Sequence, residues 1–436
     1  MNKGDSGFPT MTYGKVTRFY IPLLLQAFSQ SLTYPLVAGI VSHGALGVNA
    51  LTGFTQGQMI MFMIGALGGG LVMTGMVFAK TRKGYEEFRR LNTFMMAALL
   101  LLQCVPALPP FDRWLFSGLL ALPPELAAIA RWTLLFGVVM NGAFFLRNVP
   151  MVVLFNNLES GKASLATGIR ILVTLVASAV FPRFGLVGAG WGLVALTAGV
   201  IVEYVITWAY ARPYVRALPG SADGEHVSLL EQLKFTVPLS LGGFLLMFSP
   251  IFIAMFVGRS ADAADMLAIH YVTLGVANPV SYAALRMQAV AIEFPQEHPR
   301  DRRLVGYAII AGVLLGTIPF LFSLPAIADW YFGSYQNVPA RLLPTVRLAI
   351  FIYSFICVIH ALRGRLEGVA ASRKCPRAVM AGQIGYTLSL LGSLAVMLPL
   401  GVPGWVMAIS AIFFAPVCAT LCVHTVLCLQ LKVEKS

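Results

Sequence analysis

Apolar runs of about 20 residues recur from Phe19 to the C-terminus, and each is long enough to cross a hydrocarbon core of about 30 Å as a helix. No other feature constrains the fold as strongly. Inside a bilayer every backbone polar group must be satisfied within the protein, and a helix does so within its own segment. The runs are continuous rather than alternating, so they read as helices. Of the 436 residues, 58% are hydrophobic and only 11% charged, against roughly 25% charged in a soluble domain. The class is an all-α polytopic membrane protein, which excludes an ordinary soluble enzyme and a nucleic-acid binder.

Twelve spans fit the hydropathy: 17–41, 50–77, 91–109, 127–147, 164–182, 187–210, 233–257, 264–290, 304–327, 343–363, 377–397 and 402–428. Alternating the connections between two sides puts 23 of the 31 lysines and arginines on one side. By the positive-inside rule both termini are then cytoplasmic. The expected location is the cell (inner) membrane. The polar N-terminus has no short apolar stretch with a small-residue cleavage site, so the first span itself is expected to direct insertion. The six cysteines lie mostly in apolar segments and read as buried thiols rather than a disulfide framework.

The chain also repeats itself. A shift of 216 residues pairs Phe19 with Phe235, Pro22 with Pro238, Arg131 with Arg347, Arg147 with Arg363, Gly185 with Gly401 and Gly188 with Gly404. Matched Leu residues would mean little between two apolar sequences; matched Pro, Gly and Arg at one offset mean an internal duplication. Six spans per half is an even number, so the halves are parallel repeats. The expected organisation is a first lobe over 1–210, a cytoplasmic connection over 211–231 and a second lobe over 232–436. Two such lobes are the usual frame for alternating access around a central site. Pro22 and Pro35 in the first helix, and Pro238 and Pro250 in the seventh, are candidate gating positions, since proline removes a backbone hydrogen bond and bends a helix. Tolerated kinks are the alternative.

Ionisable residues inside spans are expensive and are candidate functional groups. Arg131, Arg147, Arg170, Arg286, Arg347 and Arg363 lie within or at the edges of spans, against the acids Glu203 and Glu293. A guanidinium stays charged and offers a planar fork to carboxylate or phosphate oxygens, so this excess suits an anionic substrate and repels a cationic drug. The competing explanation is that arginines at span ends reach the headgroups. Arg131 and Arg147 are 16 residues apart, about 24 Å on a helix, hence near opposite ends of one span. Gln26, Asn141, Asn278 and His360 could complete a substrate-binding site, or bond helices together. The segment GALGGG (65–70) lacks the Lys-Ser/Thr of a phosphate loop and reads as close helix packing in mid-helix. No catalytic motif, metal site or cofactor site is apparent, and an enzyme is not expected.

Two parallel six-helix halves, each opening with an F-x-x-P-L helix (Phe19 to Leu23 and Phe235 to Leu239), resemble the multidrug/oligosaccharidyl-lipid/polysaccharide flippase superfamily. The second half is most similar to its progressive ankylosis (ANK) family, through FTVPLSLGGFLLMFSPIFIAMFVGR (235–259), LGVANPVSYAALRMQAVAIEFPQEHP (274–299), LPTVRLAIFIYSFICVIHALRG (343–364) and VMLPLGVPGWVMAI (396–409). That resemblance implies a MATE-like two-lobe architecture and export of small anions of the citrate, pyrophosphate and nucleotide class. A flippase for a lipid-linked anionic saccharide is the alternative, and a cation-coupled multidrug exporter a weaker one. Cation-coupled members carry an acid in the first helix, whereas 19–41 here contains none. That argues against Na⁺ or H⁺ coupling through that helix and against the multidrug reading, while coupling through other groups stays open. A monomer, with the bilayer and a small anion as its only partners, is expected.

Overall fold

The computed structural model describes residues 11–47, 49–120, 122–220, 228–295, 302–336 and 338–433, without the side chains of 29–35 and 431–433. The protein is all-helical there. The first half contains α1 (Tyr13–Ser42), α2 (Asn49–Ala66), α3 (Leu71–Phe78), α4 (Arg82–Cys104), α5 (Pro124–Asn156), α6 (Ser160–Val180) and α7 (Ala189–Arg216). The second contains α8 (Leu229–Leu246), α9 (Ser249–Val257), α10 (Ala263–Ala284), α11 (Met287–Glu293), α12 (Arg303–Ser323), α13 (Pro325–Ala328), α14 (Leu343–Tyr353), α15 (Ile356–Ser372), α16 (Pro376–Met397) and α17 (Gly404–Val433). Among the described residues ten segments are long and apolar enough to cross a membrane, and α1 and α10–α11 supply the remaining two of twelve spans. Large apolar side chains such as Leu101 (71%), Phe184 (75%) and Leu388 (65%) stand exposed. On a soluble protein such a surface would be an aggregation hazard; here it is the face offered to lipid.

The duplication seen in the sequence recurs in backbone detail. Gly185 and Gly401 both adopt a left-handed conformation, φ 70° and 67°, so each ends its turn in a geometry that glycine adopts without steric cost. Leu158 and Lys374, also 216 apart, repeat a left-handed turn without glycine, at φ 58° and 55°. A single π-helical turn precedes the fourth span (Arg113–Leu119) and the tenth (Asp329–Tyr335), burying Phe116 and Phe332 respectively.

The halves differ where helices break. The fourth span is the continuous α5, whereas the tenth interrupts at Ser354–Phe355 between α14 and α15. The second and eighth spans both interrupt, at 67–70 and 285–286. The glycine segment is thus not mid-helix, as the hydropathy suggests, but a turn between α2 and α3. Close packing does explain it: a Cβ on Gly70 would lie 2.8 Å from both the Leu239 Cβ and the Thr236 carbonyl. Small residues likewise set the approach of α2 to α5, because Cβ atoms on Gly53 and Gly57 would meet the carbonyls of Leu126 and Ala130 at 2.6 and 2.5 Å. This is small-xxx-small packing, in which glycines let backbones touch where lipid gives helices no hydrophobic reason to associate.

The chain divides into two compact units, 28–240 and 1–27 with 241–436. In the first unit, α8 contributes its opening turns: Phe235 stacks edge-on to Phe78 at 5.2 Å, the Thr236 and Thr74 hydroxyls bond at 2.7 Å, and Gln232 donates to the Gly84 carbonyl at 3.2 Å. In the second unit, the opening of α1 does the same work. Phe19 stacks edge-on to Phe294 at 6.0 Å, and the Tyr20 hydroxyl donates to the Ala284 carbonyl at 3.3 Å. Phe78 and Phe294 are themselves 216 apart. Of the prolines, Pro22 lies within α1, Pro238 within α8, and Pro250 in the first turn of α9, just past an interruption at Met247–Phe248. The Pro35 side chain lies outside the described residues. The helix α7 continues to Arg216, so the first residues of the expected connection are helical, and 221–227 fall outside the description.

Candidate functional site

Arg131, Arg147, Arg170, Arg347 and Arg363 have counter-ions, several of which the sequence leaves hidden. In the first unit, Arg147 on α5 and Arg170 on α6 converge on one carboxylate, Glu203 on α7. Arg147 Nη1 donates to Glu203 Oε2 at 2.8 Å and Arg170 Nη1 to the same oxygen at 3.1 Å. The Thr167 hydroxyl, one turn before Arg170, donates to Oε1 at 2.5 Å. Phe144 lies against both guanidiniums, 4.8 Å from Arg147 Cζ and 5.8 Å from Arg170 Cζ. Helical spacing explains the convergence: Thr167 and Arg170 share a face at i, i+3. Gly199, one turn before Glu203, has no side chain to hold α6 away, since a Cβ there would sit 3.0 Å from the Arg170 carbonyl. Glu203 is fully buried and Arg170 nearly so.

This cluster sets two guanidiniums on one carboxylate. The Nε of Arg147 is buried and finds no acceptor among the described residues. An anion with hydrogen-bonding oxygens is the kind of group that would satisfy that donor.

The second unit builds a cluster at the equivalent arginine with different chemistry. Arg363 Nε donates to Glu367 Oε1 at 2.8 Å and Nη2 to Gln383 Oε1 at 2.6 Å. Gln383 Nε2 returns a bond to Glu367 Oε1 at 3.1 Å, and Gln288 Nε2 reaches Oε2 at 3.2 Å. Arg363 Cζ lies 4.9 Å from the Tyr386 ring. By the 216-residue offset, Gln383 replaces Thr167 and Tyr386 replaces Arg170. The acid comes from four residues along the same helix instead of from the last helix of the half. This cluster is balanced: one arginine, one glutamate.

The remaining candidates are placed individually. His360 is buried, its Nδ1 3.3 Å from the Ser281 carbonyl, one turn from Arg363. Arg131 pairs with Asp112 at 3.2 Å and Arg347 with Asp329, each tying the start of its span to the π-helical turn before it. Asn141 donates to the Met61 carbonyl at 3.2 Å and to Gln103 Oε1 at 2.7 Å, while Gln103 donates to the Leu134 carbonyl at 2.8 Å; these amides join α2, α4 and α5. Arg286 is half-buried at the α10–α11 interruption. Asn278 is half-buried beside Pro279 on α10, and Gln26 is buried on α1. The structure therefore brings Arg147 and Arg170 together in one unit and Arg363 and His360 into one neighbourhood in the other.

Glu367, Gln383 and Gln288 are site residues that the sequence reading misses: Glu367 lies past the tenth span as drawn to 363, while α15 runs on to Ser372, and Gln288 and Gln383 lie inside the eighth and eleventh spans as uncharged amides. The i, i+4 spacing of Arg363 and Glu367 was the available signal. Expected buried thiols are partly so: Cys357 and Cys375 are buried, Cys104, Cys418 and Cys422 half-buried, and Cys428 exposed.

No family model matches the sequence, and no curated protein does. Solved structures match along nearly the whole chain. A MOP superfamily transporter from Pyrococcus furiosus is 15% identical over 94% of this chain and 95% of its own, with a TM-score of 0.68. A MATE transporter of Vibrio cholerae, VcmN, is 15% identical over 94% and 96%, with a TM-score of 0.69. A eukaryotic MATE transporter is 14% identical over 95% and 95%, with a TM-score of 0.67. With its twelve spans in two six-helix repeats, this chain has the fold of the MATE transporters of the MOP superfamily.

Proposed function

We propose that this protein is a secondary-active or facilitative exporter of small organic or phosphorylated anions, of the citrate, pyrophosphate and nucleotide class, working by alternating access. The observation that carries the reading is the buried Arg147–Arg170–Glu203 cluster, with two guanidiniums on one carboxylate. A carboxylate or phosphate oxygen competes with Glu203 for Arg147 and supplies an acceptor for its buried Nε. A cationic drug gains nothing there. Arg363 and His360 are the corresponding contacts in the second half, with Arg286, Asn278 and Gln26 as secondary candidates. The fold supports transport, since its solved relatives are transporters. The Pyrococcus furiosus relative is itself described by a binding pocket of reversed polarity that suggests a different function. The similarity of the second half to the ANK family belongs to the same proposal. So do placement in the inner membrane with both termini cytoplasmic, action as a monomer, and bending at Pro22 and Pro238. The helix α1 has no Asp or Glu, so any Na⁺ or H⁺ coupling runs through other groups.

The test is uptake of labelled citrate, phosphate, pyrophosphate and ATP into liposomes holding the full chain, beside Arg147→Met and Arg363→Gln. Saturable anion flux that both substitutions abolish in folded protein is the expected result. Absence of flux for all four, with and without Na⁺ and pH gradients, overturns the reading in favour of a flippase for a lipid-linked anionic saccharide.

A further inference from the structure

A second basic feature lies away from the buried clusters, within the first unit. A groove of about 480 Å³ opens between the start of α4 and the end of α7, over α5. That volume is in the range of small-ligand sites. Arg82, Arg89, Arg212 and Arg216 line it with a single acid, Glu86. Glu86 is engaged by Arg82, Nε to Oε1 at 3.1 Å, and Arg82 Nη1 is held by the Val215 carbonyl at 3.1 Å. Arg212 lies over Trp208, its Cζ 3.6 Å from the ring centroid. Arg89 and Arg216 make no ion pair or side-chain hydrogen bond among the described residues. At the floor, Asn92 is 1% exposed; its amide nitrogen donates to the Phe145 carbonyl at 2.9 Å, and its Oδ1 is left without a donor.

We infer that this groove binds the phosphate headgroup of an acidic phospholipid of the surrounding leaflet, with the arginines on the phosphate and Asn92 Oδ1 accepting from a headgroup hydroxyl. The reason to choose a lipid lies in α7 itself. At spacings of four, three and four residues, Ile201, Val205, Trp208 and Arg212 form one exposed stripe that passes from aliphatic to aromatic to basic. That is the order of a bilayer from hydrocarbon through interface to headgroup, and basic pockets between membrane helices hold acidic headgroups. Topology alone does not explain the charges. The second half meets the same need with Arg302 and Arg303, yet carries Val305, Thr420, His424 and Cys428 where the groove has Arg89, Tyr204, Trp208 and Arg212. The groove is an elaboration of one repeat.

Native mass spectrometry of the full chain in detergent, with phosphatidylglycerol or phosphatidylcholine of matched acyl chains, tests the assignment. Wild type is expected to retain phosphatidylglycerol preferentially. Replacing Arg89, Arg212 and Arg216 together by Gln should bring the preference to parity, at about fivefold for each arginine near an anionic headgroup. A Lys83→Gln, Arg90→Gln control, at the same end but outside the groove, should keep it, and excess glycerol phosphate should not displace the lipid. Unchanged helical circular dichroism and a monodisperse particle confirm that the triple variant is folded. Equal loss in the control, full retention in the folded triple variant, or displacement by glycerol phosphate each overturns the assignment, the last in favour of a soluble phosphate ligand.

Discussion

Neutralising Glu203 should destabilise the first unit far more than removing either arginine bound to it. The carboxylate holds two guanidiniums at 2.8 and 3.1 Å. With charge centres about 4 Å apart and an effective dielectric of about 20, each attraction is about 4 kcal/mol. Glu203→Gln removes both attractions and relieves only the cost of burying one carboxylate. The net loss falls at about 3–5 kcal/mol, the range for breaking a buried pair from one side. Arg147→Met instead leaves Glu203 with Arg170, a balanced pair, and puts an apolar chain against Phe144. It forfeits one attraction but also removes one buried guanidinium with its desolvation cost, so its net cost should stay within about 1.5 kcal/mol. At roughly 2.1 cal/mol/K of unfolding entropy per residue over about 210 residues, the first change lowers Tm by about 7 °C or more and the second by about 3 °C or less. Thermal unfolding of the purified variants in detergent, followed by circular dichroism, measures both. Charge balance is the wrong account of this cluster if Glu203→Gln melts within about 2 °C of wild type, or if Arg147→Met loses as much as Glu203→Gln.

Three further expectations follow from the packing and can be checked by the same unfolding assay. Asn141→Leu leaves Gln103 Oε1 buried without its donor and should cost about 1–3 kcal/mol. Gly57→Val drives a side chain against the Ala130 carbonyl and the Thr133 Cβ, so it should cost at least about 1–3 kcal/mol, whereas Gly168→Ala, with nothing within 4 Å of the added carbon, should be neutral or stabilise by up to about 1 kcal/mol. Phe78→Leu and Phe294→Leu remove equivalent edge-on ring pairs and should each lose about 0.5–1.5 kcal/mol; a loss confined to one of them would show that the repeat is conserved in shape but not in energy.

The architecture was legible in the sequence because the bilayer imposes a simple code of length and apolarity, and because duplication leaves Pro, Gly and Arg at a fixed offset. Gly185 and Gly401 matched on paper and adopt the same left-handed turn. Leu158 and Lys374 adopt one too, yet nothing in either side chain announces it; there the turn is imposed by the helices on each side. Hydropathy also stopped the tenth span where charge begins. Glu367 falls beyond that limit, although its bond to Arg363 lets the charged helix continue buried. The arginine excess was visible, but its internal balance was not. Whether a guanidinium meets a carboxylate depends on which helices pack together, and an apolar pattern does not specify that.

The shared opening of α1 has a consequence for how this protein is made. Tyr20 is inserted near the beginning of synthesis, but its hydroxyl bonds to backbone 263 and 264 residues later. At about 5–20 residues per second, that partner emerges from the ribosome some 13–50 s afterwards. Until then the opening of the first helix sits in the translocation machinery or the lipid without those partners. The 28–240 unit waits as well, because Thr74 gains its partner hydroxyl only when residue 236 has been translated. Nascent chains stalled before that point would present an unfinished bundle to membrane quality control, and completion of both units is timed by the second half of the message.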